Sequence, residues 1–190
     1  MNAAHLDFCS SPEWRQIVEE MVLPAALRDL DLGDDVVEVG PGPGFTTDVL
    51  RTRADRLTAV ELDPTLAAAL AERLAGTNVD VVEGDATALE LPDGRFTGAA
   101  SFNMLHHVPG DEAQNRIFAE LVRVLCAGGV FVAADGVGSE DLRAFHEGDI
   151  YHPIDPDGLG SRLAAVGFTA IDVSTYELGW VCAARAPNGG

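Results

Sequence analysis

The chain predicts an α/β fold, a doubly wound and mostly parallel sheet in a single domain. Three observations carry that expectation. Residues 36–47 read V-V-E-V-G-P-G-P-G-F-T-T, a β-branched run followed by glycines at alternate positions. Such a run suits a strand covered on both faces, and the glycines let the backbone turn sharply and admit a ligand where a Cβ would stand. Residues 56–62, R-L-T-A-V-E-L, form a second apolar run that ends in a carboxylate and leads into Asp63-Pro64 and an Ala/Leu-rich stretch to Leu74. Short apolar segments then alternate with helical patterns along the chain. At 190 residues and 47% hydrophobic, the length and composition suit one domain with one core.

At the start, Ser10-Ser11-Pro12-Glu13 is a helix-start signature, with serine caps, an early proline and a capping box open to Ser10 and Glu13. Trp14, Ile17, Val18, Met21 and Val22 follow as a helical stripe that Pro24 is expected to kink or end. A strand over 36–39 turns through Gly40, Gly42 and Gly44 into a helix over 45–50. The strand over 56–62 is followed by a helix capped by Asp63, with Pro64 at its first position. A third strand, V-D-V-V-E at 79–83, ends in Gly84-Asp85-Ala86, and a fourth, F-T-G-A-A-S-F-N at 96–103, leads into Met104-Leu105-His106-His107-Val108. Ile117, Phe118, Leu121, Val122, Val124 and Leu125 mark a helix over 111–125 that stops near Gly128-Gly129. A strand over 130–134, an irregular stretch, a helix over 159–166 and two strands over 168–173 and 180–184 complete the pattern.

The glycine spacing discriminates between ligands. A dinucleotide fingerprint requires its third glycine at the position of Phe45, and no G-K-[ST] end supplies a P-loop. The E-V-G-x-G-x-G form resembles motif I of the class I S-adenosylmethionine (SAM) dependent methyltransferases. Glu61, seventeen residues past Gly44, stands where an α/β cofactor fold places its ribose-binding carboxylate, although alone it reads equally as a solvated strand-end acid. The G-D-A of residues 84–86 and the L-H-H-V ending of the fourth strand match the same family in order. One departure is Phe96-Thr97-Gly98, where the family usually shows Phe-Asp.

The resemblance spans roughly residues 32–185. It implies a Rossmann-like, seven-stranded, mostly parallel sheet whose last strand is antiparallel, and SAM as cofactor. The cofactor-binding residues expected are Glu38, Gly40, Gly42, Gly44, Glu61, Leu62, Asp85, Ala86 and Asn103. Within that set, Glu61 would hold the ribose hydroxyls, Asp85 and the backbone of Ala86 the adenine, and the carbonyl of Asn103 the methionine amino group. It also implies methyl transfer to a small organic acceptor by in-line displacement. A SAM- or nucleotide-binding module without catalysis is the alternative, and a nicotinamide-dependent oxidoreductase is disfavoured by Phe45.

Residues 1–31 are expected to form a helical cap. Its apolar stripe is either plain core or, with Phe8 and Trp14, a lid over the cofactor. Residues 32–186 form the methyltransferase domain. Within it, residues 136–158 are either a substrate-covering insertion or a packed connection, extended near His152-Pro153 and Asp155-Pro156. Residues 187–190 are a frayed tail.

Catalytic candidates are His106 and His107 after the fourth strand, and His146 and His152 in the later stretch, with Asp149 and Tyr151 beside them. The sulfonium is already an activated leaving group, so a base is required only if the acceptor loses a proton. No metal is expected, because Asn103 with Asp135 makes a poor oxygen-ligand set.

With 12 basic against 31 acidic residues, the formal net charge is −19. Such a chain lacks the basic footprint of a nucleic-acid binder, and no N-P-P-Y or D-P-P-Y tetrapeptide is present. A small-molecule partner and no nucleic acid are therefore expected. Cys9, Cys126 and Cys182 are odd in number and far apart, which argues for reduced thiols. No apolar run approaches about 20 residues, and the first ten residues lack a signal-peptide pattern. No membrane partner and a cytoplasmic location are expected.

Overall fold

A computed structural model describes residues 2–189; of the tail expected to fray, Gly190 lies outside the described residues. Seven strands form one sheet: β1 (Asp35–Val39), β2 (Arg56–Glu61), β3 (Val79–Glu83), β4 (Phe96–Phe102), β5 (Leu125–Asp135), β6 (Thr169–Tyr176) and β7 (Gly179–Arg185). Their order is β3-β2-β1-β4-β5-β7-β6. The first five are parallel, and β7 runs antiparallel between β5 and β6. This is the expected architecture, including the antiparallel last strand.

The alternation of side chains across each strand splits the core in two. Val37, Val39, Ala99, Phe131 and Ala133 pack with Ile117, Phe118 and Leu121 of α6 (Asp111–Val124) and with Leu159 and Leu163 of α8 (Pro156–Ala165). Val36, Ala100, Val132 and Ala134 pack with Val18, Val22 and Leu27 of the N-terminal helices and with Leu50 of α4 (Phe45–Leu50). Both faces are covered, which is why β1 reads as five consecutive buried residues. α5 (Pro64–Arg73) closes over β2 and β3 through Leu70 and is capped by Asp63, whose carboxylate accepts from the amides of Thr65 and Leu66. Among the described residues no helix is long and apolar enough to cross a membrane.

Several local expectations change. After α1 (Ala3–Cys9), the N-cap of α2 (Pro12–Ile17) is Ser11, whose hydroxyl accepts from the Trp14 amide at 3.1 Å, so Ser10 and Glu13 form no capping box. Pro24 does not end the helical stripe. A π-helical turn over Val18–Val22 widens the backbone just before it and leads into α3 (Leu23–Leu27), which accommodates a residue without an N–H. β5 begins at Leu125, so Gly128 and Gly129 lie in a strand rather than after a helix stop. The irregular stretch contains α7 (Glu140–Phe145), and Asp155-Pro156 starts α8 as cap and first residue, three residues earlier than the apolar pattern indicated.

Thr97 and Gly98, the departure from the family pattern, have a local explanation. The Thr97 hydroxyl accepts from the Asp35 amide and donates to the Asp35 carbonyl, both at 3.0 Å. A Cβ on Gly98 would press on the Leu32 backbone. The Asp35 carboxylate, 6% exposed, is held by Arg95 at 3.1 Å and Arg56 at 3.3 Å. Thr97 thus fastens the start of β1 to β4. Thr97→Val keeps the shape and removes both bonds, and should cost about 1–3 kcal/mol. In urea denaturation the midpoint should fall with the slope unchanged; an unchanged midpoint would show that the hydroxyl contributes nothing.

Candidate active site

The parallel register brings the carboxyl ends of β1, β2, β3 and β4 to one edge of the sheet, and the glycine loop crosses that edge. Gly40, Gly42 and Gly44 all have positive φ, at 69°, 53° and 87°. Their surroundings differ. A Cβ on Gly40 would collide with Met104, and one on Gly44 with Leu70 and Arg73, so these two glycines serve close packing. Around Gly42 nothing lies within 4 Å of the missing Cβ. It is the glycine of the loop that faces open space.

Glu61, at the end of β2, holds the loop in place. Its carboxylate is 8% exposed and accepts from the Gly42 amide and the Asp63 amide, each at 2.9 Å. Each oxygen keeps a second lone pair, which is what a ribose hydroxyl requires. Leu62 is 68% exposed beside it, a large apolar side chain with an uncovered face. Asp85 is exposed after β3, with one carboxylate oxygen accepting from the Thr87 amide at 2.8 Å, and Ala86 is half-buried. Asn103 has φ of 51° and donates its amide to the Ala134 carbonyl at 2.8 Å, so the chain turns sharply at the end of β4.

Glu38 departs from its expected place among the cofactor groups. It is 1% exposed, and its two oxygens accept from the hydroxyls of Thr46 and Thr47 beneath the start of α4. Burial, against the pull of these hydroxyls, pushes its carboxyl up to about 7. Glu38 anchors the helix that follows the loop.

Three of the four candidate histidines come together, and a fourth partner is one the sequence reading missed. His106 and His107 lie in a short 3-10 turn, Leu105–His107, after β4, and their rings are 4.1 Å apart between centroids. His146 closes α7, with its ring 4.9 Å from His106 and 5.2 Å from His107. His5, on α1, lies 4.3 Å from His146 and 4.9 Å from His107. Nothing local marks His5, because no apolar stripe or motif surrounds it. Only tertiary packing brings it within reach.

The ring nitrogens are held from outside the cluster. His106 Nδ1 is 2.5 Å from an oxygen of Asp135, whose carboxylate also accepts from the amides of His106 at 3.0 Å and Gly136 at 2.7 Å. Asp135 is therefore committed to His106 and does not pair with Asn103. His146 Nδ1 is 2.6 Å from the Leu142 carbonyl, and His5 Nδ1 is 3.5 Å from Asp149. His106 Nε2, His146 Nε2 and the Tyr151 hydroxyl are buried without a hydrogen-bond partner. Burial, then the neighbouring imidazoles, lowers His5 to about 4 and His107 to about 3, and burial lowers His146. These three rings are neutral at pH 7. An orphaned polar atom costs about 1–3 kcal/mol in a folded protein, and such groups collect at functional sites.

His152 is not part of the cluster. Its Nε2 is 2.9 Å from Asp111 on the surface, while its backbone amide donates to the His106 carbonyl at 2.7 Å. Gln114, fully buried on α6, donates to the carbonyls of Leu105 and His152 and locks the two segments together. Above the cluster, Phe8 meets Trp14 at 5.4 Å and Phe145 at 5.6 Å, and the Asn2 amide donates to Asp149 at 2.7 Å. The N-terminal helix and the segment around α7 thus interlock over the ends of β4 and β5.

Two substitutions separate ligand binding from loop geometry. Gly42→Val should abolish SAM binding in calorimetry, because a β-branched side chain fills the open space and resists positive φ. Glu61→Ala should weaken it by about 1–3 kcal/mol, the scale for hydrogen bonds to a charged acceptor. A folded Gly42→Val variant that binds SAM as well as the parent would make the loop purely structural.

Comparison with known proteins places this geometry. The family described as "Methyltransferase domain" matches residues 37–133, from β1 into β5. A probable ribosomal RNA small subunit methyltransferase A from Haloarcula marismortui is 43% identical over 96 residues, 48% of this chain and 32% of that protein. The Halobacterium salinarum protein of the same name is 40% identical over 100 residues, 48% of this chain and 34% of its own. The chain thus spans about a third of these curated relatives. Among solved structures, the complex of the Haloferax volcanii Trm112 methyltransferase activator with a methyltransferase gives a TM-score of 0.75 at 16% identity, covering 99% of this chain and 95% of that one. A DhpI-SAM-HEP complex gives 0.73 at 24% identity, covering 97% and 92%.

The relatives' names overturn the exclusion of nucleic acid as a partner. That exclusion rested on the absence of an N-P-P-Y or D-P-P-Y tetrapeptide and on net charge, which governs solubility and long-range steering rather than what a single site accepts. The chain belongs to the methyltransferase-domain family.

Proposed function

We propose that this enzyme transfers the SAM methyl group in line to an acceptor seated against the imidazole cluster of His5, His106, His107 and His146. One observation carries the reading. Met104, two residues before His106, packs directly on Gly40, so the turn bearing the cluster abuts the cofactor loop. SAM would lie over Gly42, its ribose on Glu61, its adenine between Leu62 and the Asp85-Ala86 backbone, and its methionine end toward Asn103. The sulfonium supplies the leaving group, so the protein's work is to hold the acceptor atom behind the methyl, where proximity accounts for much of the acceleration.

The acceptor enters as one compact group, because α1 and the segment around α7 cover the cluster. A single base turned out of an RNA strand meets that requirement, as enzymes acting on bases take them out of the stack. The ribosomal RNA methyltransferases among the relatives favour this acceptor. The lid itself, formed by residues 1–31 and 136–158, is part of the same proposal.

Methyl-labelled SAM incubated with small-subunit ribosomal RNA, and separately with a panel of small nucleophiles, tests the reading. Label is expected in the RNA, and label confined to the small nucleophiles would overturn the RNA acceptor. His107→Ala should lower kcat about 10²-fold or more with SAM affinity nearly unchanged. Absence of label from both, or full turnover by His107→Ala, would remove the cluster from the acceptor site.

A further inference from the structure

We propose that His5, His106, His107 and His146 form a binding site for one divalent first-row transition metal, which fastens the N-terminal helix and α7 onto the end of β4. In its role, though not in the metal binding itself, this rests on the reading that the cluster borders the acceptor.

The geometry comes first. One ring nitrogen from each of the four histidines lies within 4.8 Å of the other three. Metal–nitrogen bonds of about 2.0–2.1 Å set ligand atoms roughly 3.3 Å apart in a tetrahedron. Binding would draw the four rings together by that difference.

Outer partners make the set more than a crowd of rings. A metal-ligating histidine typically gives its other nitrogen to a carboxylate or a backbone carbonyl, which fixes its orientation. His106 has Asp135, His146 has the Leu142 carbonyl, and His5 faces Asp149. At His106 and His146 Nδ1 is engaged from outside, which leaves Nε2 for a ligand, while His5 Nδ1 approaches Asp149 at 3.5 Å. His106 Nε2 and His146 Nε2 are buried with no partner, and both residues are at least nine-tenths buried.

The donor set selects the metal. Imidazole suits zinc, copper, iron and nickel, whereas magnesium and calcium require oxygen. The expectation that no metal binds weighed Asn103 with Asp135 and the three scattered cysteines, not the histidines. The nitrogen set assembles only when α1 folds over the sheet, because His5 lies 101 to 141 residues from its partners. The Tyr151 hydroxyl, also orphaned, belongs to a ring stacked 4.5 Å from His146 and offers a further contact to whatever the metal holds.

The test uses the full chain without a histidine tag, stripped with a chelator and titrated with Zn²⁺ by calorimetry and with Co²⁺ by visible absorption. One ion per chain is expected, with visible bands of nitrogen-ligated cobalt and no sulfur charge-transfer band. Zinc should raise the Tm and protect the N-terminal segment from proteolysis. His5→Ala and His146→Ala should each weaken zinc binding at least tenfold, while His152→Ala binds as the parent does. Circular dichroism confirms that each variant is folded, and His5→Asn provides a second, milder replacement. No saturable binding by the parent, a sulfur band that places the ion on a cysteine, or equal weakening in His152→Ala would overturn the proposal. Because binding is measured without any acceptor, its failure would leave the methyl-transfer reading intact, and absence of methyl transfer would leave the metal site intact.

Discussion

The contact on which the active end depends is the carboxylate of Glu61 bridging two backbone amides, those of Gly42 and Asp63. It ties the loop after β1 to the end of β2 and sets the height at which Gly42 faces open space. The Gly40 amide also donates to the Val60 carbonyl, and Arg73 donates to the carbonyls of Pro43 and Gly44, which offsets the conformational freedom that the glycines lose on ordering. Gly40 and Gly44 add packing from Met104 and Leu70. Glu38, beneath, secures the helix that the loop feeds. One acid thus shapes the loop and another anchors its helix, and both are recruited by the parallel register of β1 on β2.

A third buried acid does comparable work farther along the sheet. Asp135 at the end of β5 takes both the ring and the backbone amide of His106, which fixes the turn after β4 as well as the imidazole. Gln114 ties the same turn to the segment carrying His152. The glycine loop and the imidazole cluster meet where Met104 packs on Gly40. The covering segments are built from short helices, which is where a methyltransferase would open to exchange its ligands.

Much of this was legible in the sequence, and the reason is local. β1 and β2 are continuous apolar runs because both faces are covered. Asp63-Pro64 caps a helix through its own side chain, and three alternating glycines after a strand leave few geometries. Glu61 was legible through its distance from the loop. What escaped was settled by distant parts of the chain. His5 has no local signature and acquires meaning only when α1 lies across β4. His152 looked equivalent to His146, yet the turn at Pro153 sends its ring toward Asp111 on the surface. Asp155-Pro156 was read as extended chain although the same pair, as Asp63-Pro64, had been read as a helix start. Net charge, a property of the whole surface, was asked about a partner that one pocket selects, and there it misled.

The central claim is that the open face of Gly42 and the imidazole cluster are two halves of one reaction site. A crystal structure with S-adenosylhomocysteine tests it most directly. The account predicts the ribose on Glu61, the chain of the ligand over Gly42, and the sulfur directed at the space bordered by His106, His107 and His146. A ligand bound with its sulfur turned away from these histidines, or bound clear of Gly42, would contradict it.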